Sequence, residues 1–391
     1  MMVSEHNLPQ SEPAAEKRLA VTRLTLTRFR SYEQARLEPD ARPVVLVGPN
    51  GAGKTNLLEA VSFLAPGRGL RGARLAEVER IGSPAGAGWA VAAVVETPSG
   101  PVEIGTGREA GDGERDRRAV RIDGHPVRGQ TALAAHVSLV WLTPPMDRLF
   151  QEPAGGRRRF LDRLVFGFDP AHAGRLSRYE HALRERARLL REGRMDDGWL
   201  SGLEEQMAAT GIAVAAARLE VVQRLRAACA RAVGPFPGAE LAVEGAVEGW
   251  LAGGPALAAE DRLREALRAG RRGDAESGGA AVGPHRSDLS VRHQAKAMPA
   301  ALCSTGEQKA LLIAIVLANA RLLAAERGAA PLLLLDEVAA HLDAERRAAL
   351  FHEILALGAQ AWMTGTDDGD FEPLGGAANR FRVEESRVMP D

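Results

Sequence analysis

The segment Gly48-Pro49-Asn50-Gly51-Ala52-Gly53-Lys54-Thr55 constrains this chain more than any other. Its glycines permit backbone conformations that let successive N–H groups curl around an anion. Such a loop has to join a buried strand to a helix, and both flanks comply. Val44-Val45-Leu46-Val47 reads as a buried parallel strand, and Leu57, Leu58, Val61 and Leu64 recur at helical spacing. The helix N-terminus favours negative charge, Lys54 has the reach for β- and γ-phosphates, and Thr55 offers a hydroxyl to Mg²⁺. The segment is a phosphate-binding P-loop, and it predicts a nucleoside triphosphate site.

A second buried strand, Leu332-Leu333-Leu334-Leu335, ends in Asp336-Glu337. A carboxylate in that place can hold Mg²⁺, and an adjacent glutamate can orient or deprotonate the water that attacks a γ-phosphate. The plainer reading is an acidic pair capping a helix near Val338. Upstream lies Cys303-Ser304-Thr305-Gly306-Glu307-Gln308-Lys309, opening a helix with Leu311, Leu312, Ile315 and Val316. Ser304 with Glu307 three residues on is a capping box. A hydroxyl, a glycine backbone and a helix N-terminus also form an anion receptor, and the two roles are compatible.

P-loop, Ser-x-Gly-x-Gln, Asp-Glu and then His341-Leu342-Asp343 together resemble the ATP-binding-cassette heads, and within that class the RecF family. Leu24 to Tyr32 is similar to the family's opening strand, and Gly67 to Arg74 to its segment after the P-loop helix. Arg157-Arg158-Arg159-Phe160-Leu161-Asp162 is similar to its entry into a helical arm, and Gly283 to Leu289 to its second fingerprint. The likeness runs from about Leu19 to beyond Asp343. It implies an α/β fold: an ABC-type P-loop ATPase head, a mixed sheet with flanking helices, carrying an inserted, mainly helical arm. It implies ATP and Mg²⁺ as cofactors. Gly48, Pro49, Asn50, Gly51, Ala52, Gly53, Lys54, Thr55 and Asn56 would hold the nucleotide, with Thr55 and Asp336 on the metal and Glu337 as catalytic base. Ser304, Gly306, Gln308 and Asp343 would complete the site, the signature coming from a second subunit. The implied activity is weak, DNA-stimulated ATP hydrolysis. The implied partners are a second copy of the chain in an ATP-dependent dimer, double-stranded DNA and gap junctions, and RecR and RecO, with no membrane.

Three positions depart from the patterns of these heads. Asp-Glu stands where many family members carry Asp-Asp. Thr364-Gly365-Thr366 follows the apolar run Ala361-Trp362-Met363, where transporter heads place a histidine. No glutamine is an evident Mg²⁺-contacting residue; Gln151 is near the right stretch but also reads as a solvated loop residue.

A chain of 391 residues is long enough for two or three domains. Cys229 and Cys303 are its only cysteines, with neither metal spacing nor a disulfide framework, which points to a reducing, cytoplasmic setting. Met1 to Lys17 is polar and reads as a disordered tail. The apolar stretch from Ala310 to Leu323 is too short to span a bilayer. The formal net charge is −1 at pH 7, so nucleic-acid binding would rest on charge distribution. Arginines dominate from Arg157 to Arg194, including Arg175, Arg178, Arg184, Arg186, Arg188 and Arg191. They read either as a solvated helix face or as a phosphate-contacting patch.

The expected organisation is a tail (1–18), an N-terminal head part (19–145), the arm (146–275) and a C-terminal head part (276–391). Strands are expected over Trp89 to Thr97, Val102 to Gly105, Val120 to Ile122 and Leu289 to Val291, with turns at Gly111-Asp112-Gly113 and Asp123-Gly124. Arm helices are expected over Tyr179 to Leu190, Trp199 to Ala230 and Asp261 to Ala269, with a strand-like link from Leu241 to Val247. Arg68, Arg71 and Arg74 read as nucleotide or DNA contacts or as solvated surface. His285 and Arg286 read as DNA contacts or as a joint between arm and head. The rival functional readings are a transporter ATPase subunit and a chromosome-organising head.

Overall fold

The computed structural model describes residues 18–84, 86–108, 117–193 and 196–391. The expected tail and the Gly111-Asp112-Gly113 turn fall outside them. An opening hairpin, β1 (Ala20–Phe29) and β2 (Tyr32–Leu37), leads to β3 (Val44–Val47) and α1 (Lys54–Ser62). Next come α2 (Leu75–Val78), β4 (Trp89–Thr97), β5 (Gly100–Arg108), β6 (Ala119–Ile122), β7 (His125–Pro126) and β8 (Leu139–Leu142). The following stretch holds α3 (Ala154–Phe168), α4 (His172–Arg191), α5 (Asp197–Cys229), β9 (Ala239–Glu244), α6 (Ala246–Gly253), α7 (Ala256–Ala269) and α8 (Arg271–Ser277). The chain returns through β10 (Asp288–His293), β11 (Met298–Pro299), α9 (Thr305–Arg327), β12 (Leu332–Leu335), α10 (Ala344–Leu357), β13 (Ala361–Gly365), β14 (Asn379–Glu384) and β15 (Arg387–Pro390).

The central sheet runs β15-β14-β3-β13-β12-β8. Its members are parallel except for β15. Strands β3, β12 and β8 are short and wholly apolar because both faces are covered. Val45, Val47, Leu333, Leu335 and Met363 enter the core built around α9, while Val44, Leu46, Leu332, Leu334 and Trp362 enter the core under α1 and the second sheet. That second sheet, β2-β1-β4-β5-β6-β7, is antiparallel. The rings of Phe29, Phe63 and Trp89 meet edge to face at 5.0–5.9 Å and clamp the end of α1 beneath it. Buried Gln360 stitches the two sheets together. Its amide exchanges bonds with the Val21 backbone and donates to Asp40 O, and its oxygen accepts from the Trp362 indole.

Helix α9, 23 residues long, is apolar around most of its circumference and by composition alone could cross a membrane. Its apolar side chains instead fill the core: 72% of its most apolar window is buried inside the protein.

The helices from α3 to α8 form the expected arm, but it is not wholly helical. Strand β9 pairs along its length with β10, and the expected link stops at Glu244 because Val247 belongs to α6. The arm's arginines are the larger surprise. Arg186 is 1% exposed and lies between Glu204 (2.9 Å) and Asp274 (2.8 Å), also donating to Leu267 O. Arg188 pairs with Glu185 and Glu192, Arg184 with Glu180, and Arg175 with Asp169. Arg218 and His172 both bind buried Asp162 at 2.8 Å. Much of the stretch that looked cationic is internally neutralised.

The other open readings also resolve into packing. Arg157 holds Asp288 of β10 at 2.7 Å, and Arg158 donates to Ser287 O. His285 bonds Tyr179 at 2.6 Å and Ala280 O at 2.9 Å, while Arg286 donates to the same carbonyl. These bonds tie α3 and α4 to the segment that leads into β10. Both cysteines are free and buried, and burial pushes the Cys229 thiol up to about 12.

Candidate nucleotide-binding site

The P-loop lies where β3 emerges from the middle of the parallel sheet. Gly51 (φ 81°) and Gly53 (φ 112°) take left-handed backbone conformations, and a Cβ at Gly48 would sit 2.0 Å from Val383 O. The loop therefore turns tightly against β14 and delivers its N–H groups to the start of α1. Lys54, only 4% exposed, donates to the loop's own carbonyls, Gly48 O at 2.6 Å and Pro49 O at 2.9 Å. Burial pushes its pKa down, opposed by Glu337 and Asp336 nearby. No carboxylate forms an ion pair with it among the described residues, so its charge stays available to an anion.

The second strand brings its acids to the same place. Asp336 follows β12, and its Oδ1 accepts from the Thr55 hydroxyl at 2.8 Å and from the Thr364 hydroxyl at 2.9 Å. Thr364 in turn accepts the backbone N–H of Glu337 at 2.9 Å. Glu337 has φ 53°, a strained conformation for a non-glycine residue, costing about 1–2 kcal/mol. The Thr364 bond holds it there. The threonine at the position expected for a transporter histidine thus organises the acidic pair. The alternative of an acidic helix cap is not what is seen, because Asp343 caps the next helix, α10, accepting from Arg346 N at 2.8 Å.

Sequence reasoning missed a supporting layer beneath the loop. Glu59 of α1 is fully buried and receives Arg30 (2.7 Å) and Arg71 (2.6 Å). Arg71 also donates to the Asn56 side chain at 2.8 Å, and Asn56 to Ser31 at 2.9 Å. The Tyr32 hydroxyl donates to Gly53 O at 3.2 Å. The turn of the opening hairpin and the segment after α1 therefore converge on the P-loop helix. Asn56 and Arg71 are singled out by sequence for other roles, and Glu59, a charge on an apolar helix face, is the signal left unread. Arg68 and Arg74 remain exposed.

The signature lies in a separate cluster. Ser304 caps α9 in the expected capping box, accepting from Glu307 N, while the Glu307 carboxylate accepts from Ser304 N and from Lys296. Ser304 and Gly306 are exposed. Gln308 is 1% exposed, and its amide nitrogen donates to Cys303 O at 2.8 Å, so it braces its own loop. Gly306 and Asp343 are brought together by Arg346, whose guanidinium would lie 3.5 Å from a Cβ at Gly306 and 3.6 Å from Asp343. The side chain of His341 lies outside the described residues. Gln151 is exposed on a loop, and its backbone N–H donates to Arg148 O.

A nucleotide-type P-loop at the centre of a parallel sheet, two carboxylates on the adjoining strand end, a signature-bearing helix and an inserted arm define an ABC-type ATPase head of the SMC-like class. The profile described as RecF/RecN/SMC N terminal domain matches residues 20–372. The chain is 51% identical to the DNA replication and repair protein RecF of Mesorhizobium japonicum over 95% of this chain and 97% of that one. It is 50% identical to that of Rhizobium etli over 95% and 99%. Among solved structures it is similar to the recombination mediator protein RecF-ATPrS in the RecFOR pathway (TM-score 0.83, 21% identical, 96% and 99% covered). An SMC head domain from Pyrococcus furiosus shares the fold more distantly (TM-score 0.52, 16% identical, 95% of each chain). The chain belongs to the RecF family.

Proposed function

We propose that this chain is an ATP-gated DNA-binding protein of recombinational repair and replication-fork maintenance, working in the cytoplasm. The observation that carries the reading is the chain of bonds Thr55–Asp336–Thr364–Glu337, which unites the P-loop helix with the acidic strand end. Family membership, with relatives named as DNA replication and repair proteins, supports the DNA role over a transporter subunit or a chromosome-organising head. In this reading residues 19–145 and 276–391 form the head and 146–275 the arm.

ATP would lie along Gly48 to Asn56, with Lys54 exchanging its carbonyl partners for phosphate oxygens. Thr55 and Asp336 offer the hard oxygen donors that suit Mg²⁺, which when bound would neutralise charge on the phosphates. Glu337, its backbone fixed by Thr364, would take a proton from the water whose oxygen bonds to the γ-phosphorus. The bond to the β–γ bridging oxygen breaks and its electron pair leaves with ADP. Exposed Ser304 and Gly306, with Asp343 alongside, would close on the nucleotide of a second copy, and the resulting dimer would grip duplex DNA beside single-stranded gaps. Hydrolysis would reset it. DNA-stimulated turnover and cooperation with RecR and RecO belong to the same reading.

Light-scattering mass of the wild type and Ser304→Arg, with ATP and with or without duplex, tests it. The expected result is an ATP-dependent wild-type dimer, tightened by duplex, and a variant that binds ATP as a monomer. A wild type that binds ATP without any change of mass would overturn the shared site.

A further inference from the structure

A cleft of about 120 Å³ opens between the N-terminal end of β8, the segment after α1 and the junction of α3 with α4. Its walls include Val137, Leu139, Trp141 and Phe166, and two guanidinium groups, Arg163 and Arg327, line it. Neither has a carboxylate partner among the described residues. Arg163 lies over the Trp141 ring at 4.3 Å and donates to the Met146 sulfur at 3.3 Å, while its Nε is buried without a hydrogen-bond partner. Arg327 is tied to two backbone carbonyls, Ala134 O and Gly167 O. Burial pushes both pKa values down, Arg163 to about 9.

Both guanidiniums are half-buried, and they differ in this from the two fully buried arginines among the described residues. Arg186 and Arg218 each have bidentate or double carboxylate support. Even partial burial of a cation without a counter-ion has a cost, and a carboxylate brought by a ligand would relieve it. The apolar walls ask for something more than an anion. A phosphodiester backbone would bring charge but nothing to cover Trp141 and Phe166, the half-buried aromatic walls of the cleft. A peptide with an acidic side chain next to an aliphatic or aromatic one matches both features.

We propose that this cleft docks a partner protein through a short acidic-and-apolar peptide segment, its carboxylate meeting Arg163 and its neighbouring apolar side chain entering the cleft. The site is separate from the P-loop: it adjoins the N-terminal end of β8, whereas Asp336 N bonds to Leu142 O at that strand's other end. It does not depend on the ATP-switch reading.

The test uses the full chain and fluorescein-labelled heptapeptides alternating glutamate with leucine or phenylalanine, read by anisotropy. The expected result is saturable binding that weakens about tenfold or more for Arg163→Met and for glutamine-substituted peptides, as for loss of a charge-assisted bond. ATP binding should be unchanged in the variant. Its Tm should hold or rise, since an unpaired, half-buried charge is replaced by an apolar chain of similar length. Equal peptide affinity in wild type and variant overturns the proposal. So does absence of binding, or a lowered Tm with unchanged affinity, which would make Arg163 a structural prop. Displacement of the peptide by short duplex DNA, lost in Arg163→Met, would reassign the cleft to nucleic acid.

Discussion

Lys54 and Arg186 are both cations buried to within a few per cent, and they have opposite fates. Lys54 rests on two carbonyls of its own loop and faces no paired carboxylate. Arg186 is locked between two carboxylates from other helices. The first charge is kept free by a local backbone path; the second is spent on holding the arm together. The contrast teaches that a cationic run in sequence does not measure the charge a surface can offer. Carboxylates at Glu180, Glu185, Glu192, Glu204 and Asp274 engage Arg184, Arg186, Arg188 and Arg271, while Arg178 and Arg191 of the same run stay exposed.

The sharpest break of that contrast is in the chemistry. Glu337→Gln should slow phosphate release about 10²- to 10⁴-fold while ATP binding persists, as for loss of a general base. An unchanged rate would move the base elsewhere. On the arm, Arg186→Met leaves Glu204 and Asp274 short of a partner and should cost about 3–5 kcal/mol in a urea unfolding titration. ATP affinity should not change. If stability held and duplex affinity fell instead, Arg186 would be a DNA contact and the comparison would fail.

Smaller effects sharpen it further. Lys54→Ala should weaken ATP about 10- to 100-fold with little change in Tm, because its bonds to charged phosphate are worth about 1.5–3 kcal/mol. Thr364→Val strands the Glu337 N–H and removes a donor from Asp336, a loss of about 1–3 kcal/mol that Thr364→Ser should largely avoid. The smallest effect is a pH response at the signature. Lys296, with the Ser304 N–H and hydroxyl, holds the Glu307 carboxyl down to about 2 from its ordinary 4.5. A depressed carboxylate stabilises above its unfolded value, so the cap should be intact above about pH 4.5 and loosen as pH falls toward 2. The ion pair lies at the surface, so the effect on global stability should be slight. Amide exchange in the first turn of α9 would report it, and Glu307→Gln should abolish the dependence.

What could be read from sequence shares a physical property: it is settled by near neighbours. Val44–Val47 and Leu332–Leu335 form strands over the residues their apolar runs indicate, since a run buried on both faces carries its own boundaries. Trp89–Thr97 does so through period-two burial. The capping box of Ser304 and Glu307 also follows from local spacing. The arm's content was less legible. Its strand β9 is stabilised by β10, far along the chain, and nothing near Ala239 announces that pairing. Thr364 was legible only as a departure from a histidine pattern; its bonds to Asp336 and Glu337 exist because β12 and β13 are neighbours.

The sequence alone determined a phosphate loop between a strand and a helix, an acidic strand end, a capped signature helix and a family. Each depends on backbone conformation or spacing within a few residues, where the chain has little choice. Tertiary structure alone decided which charges stay free. Arg186 meets a partner 88 residues away, Arg71 is drawn to Glu59, and the buried Nε of Arg163 meets no carboxylate among the described residues. Coulomb energy depends on separation and burial in space, and spacing along the chain carries neither.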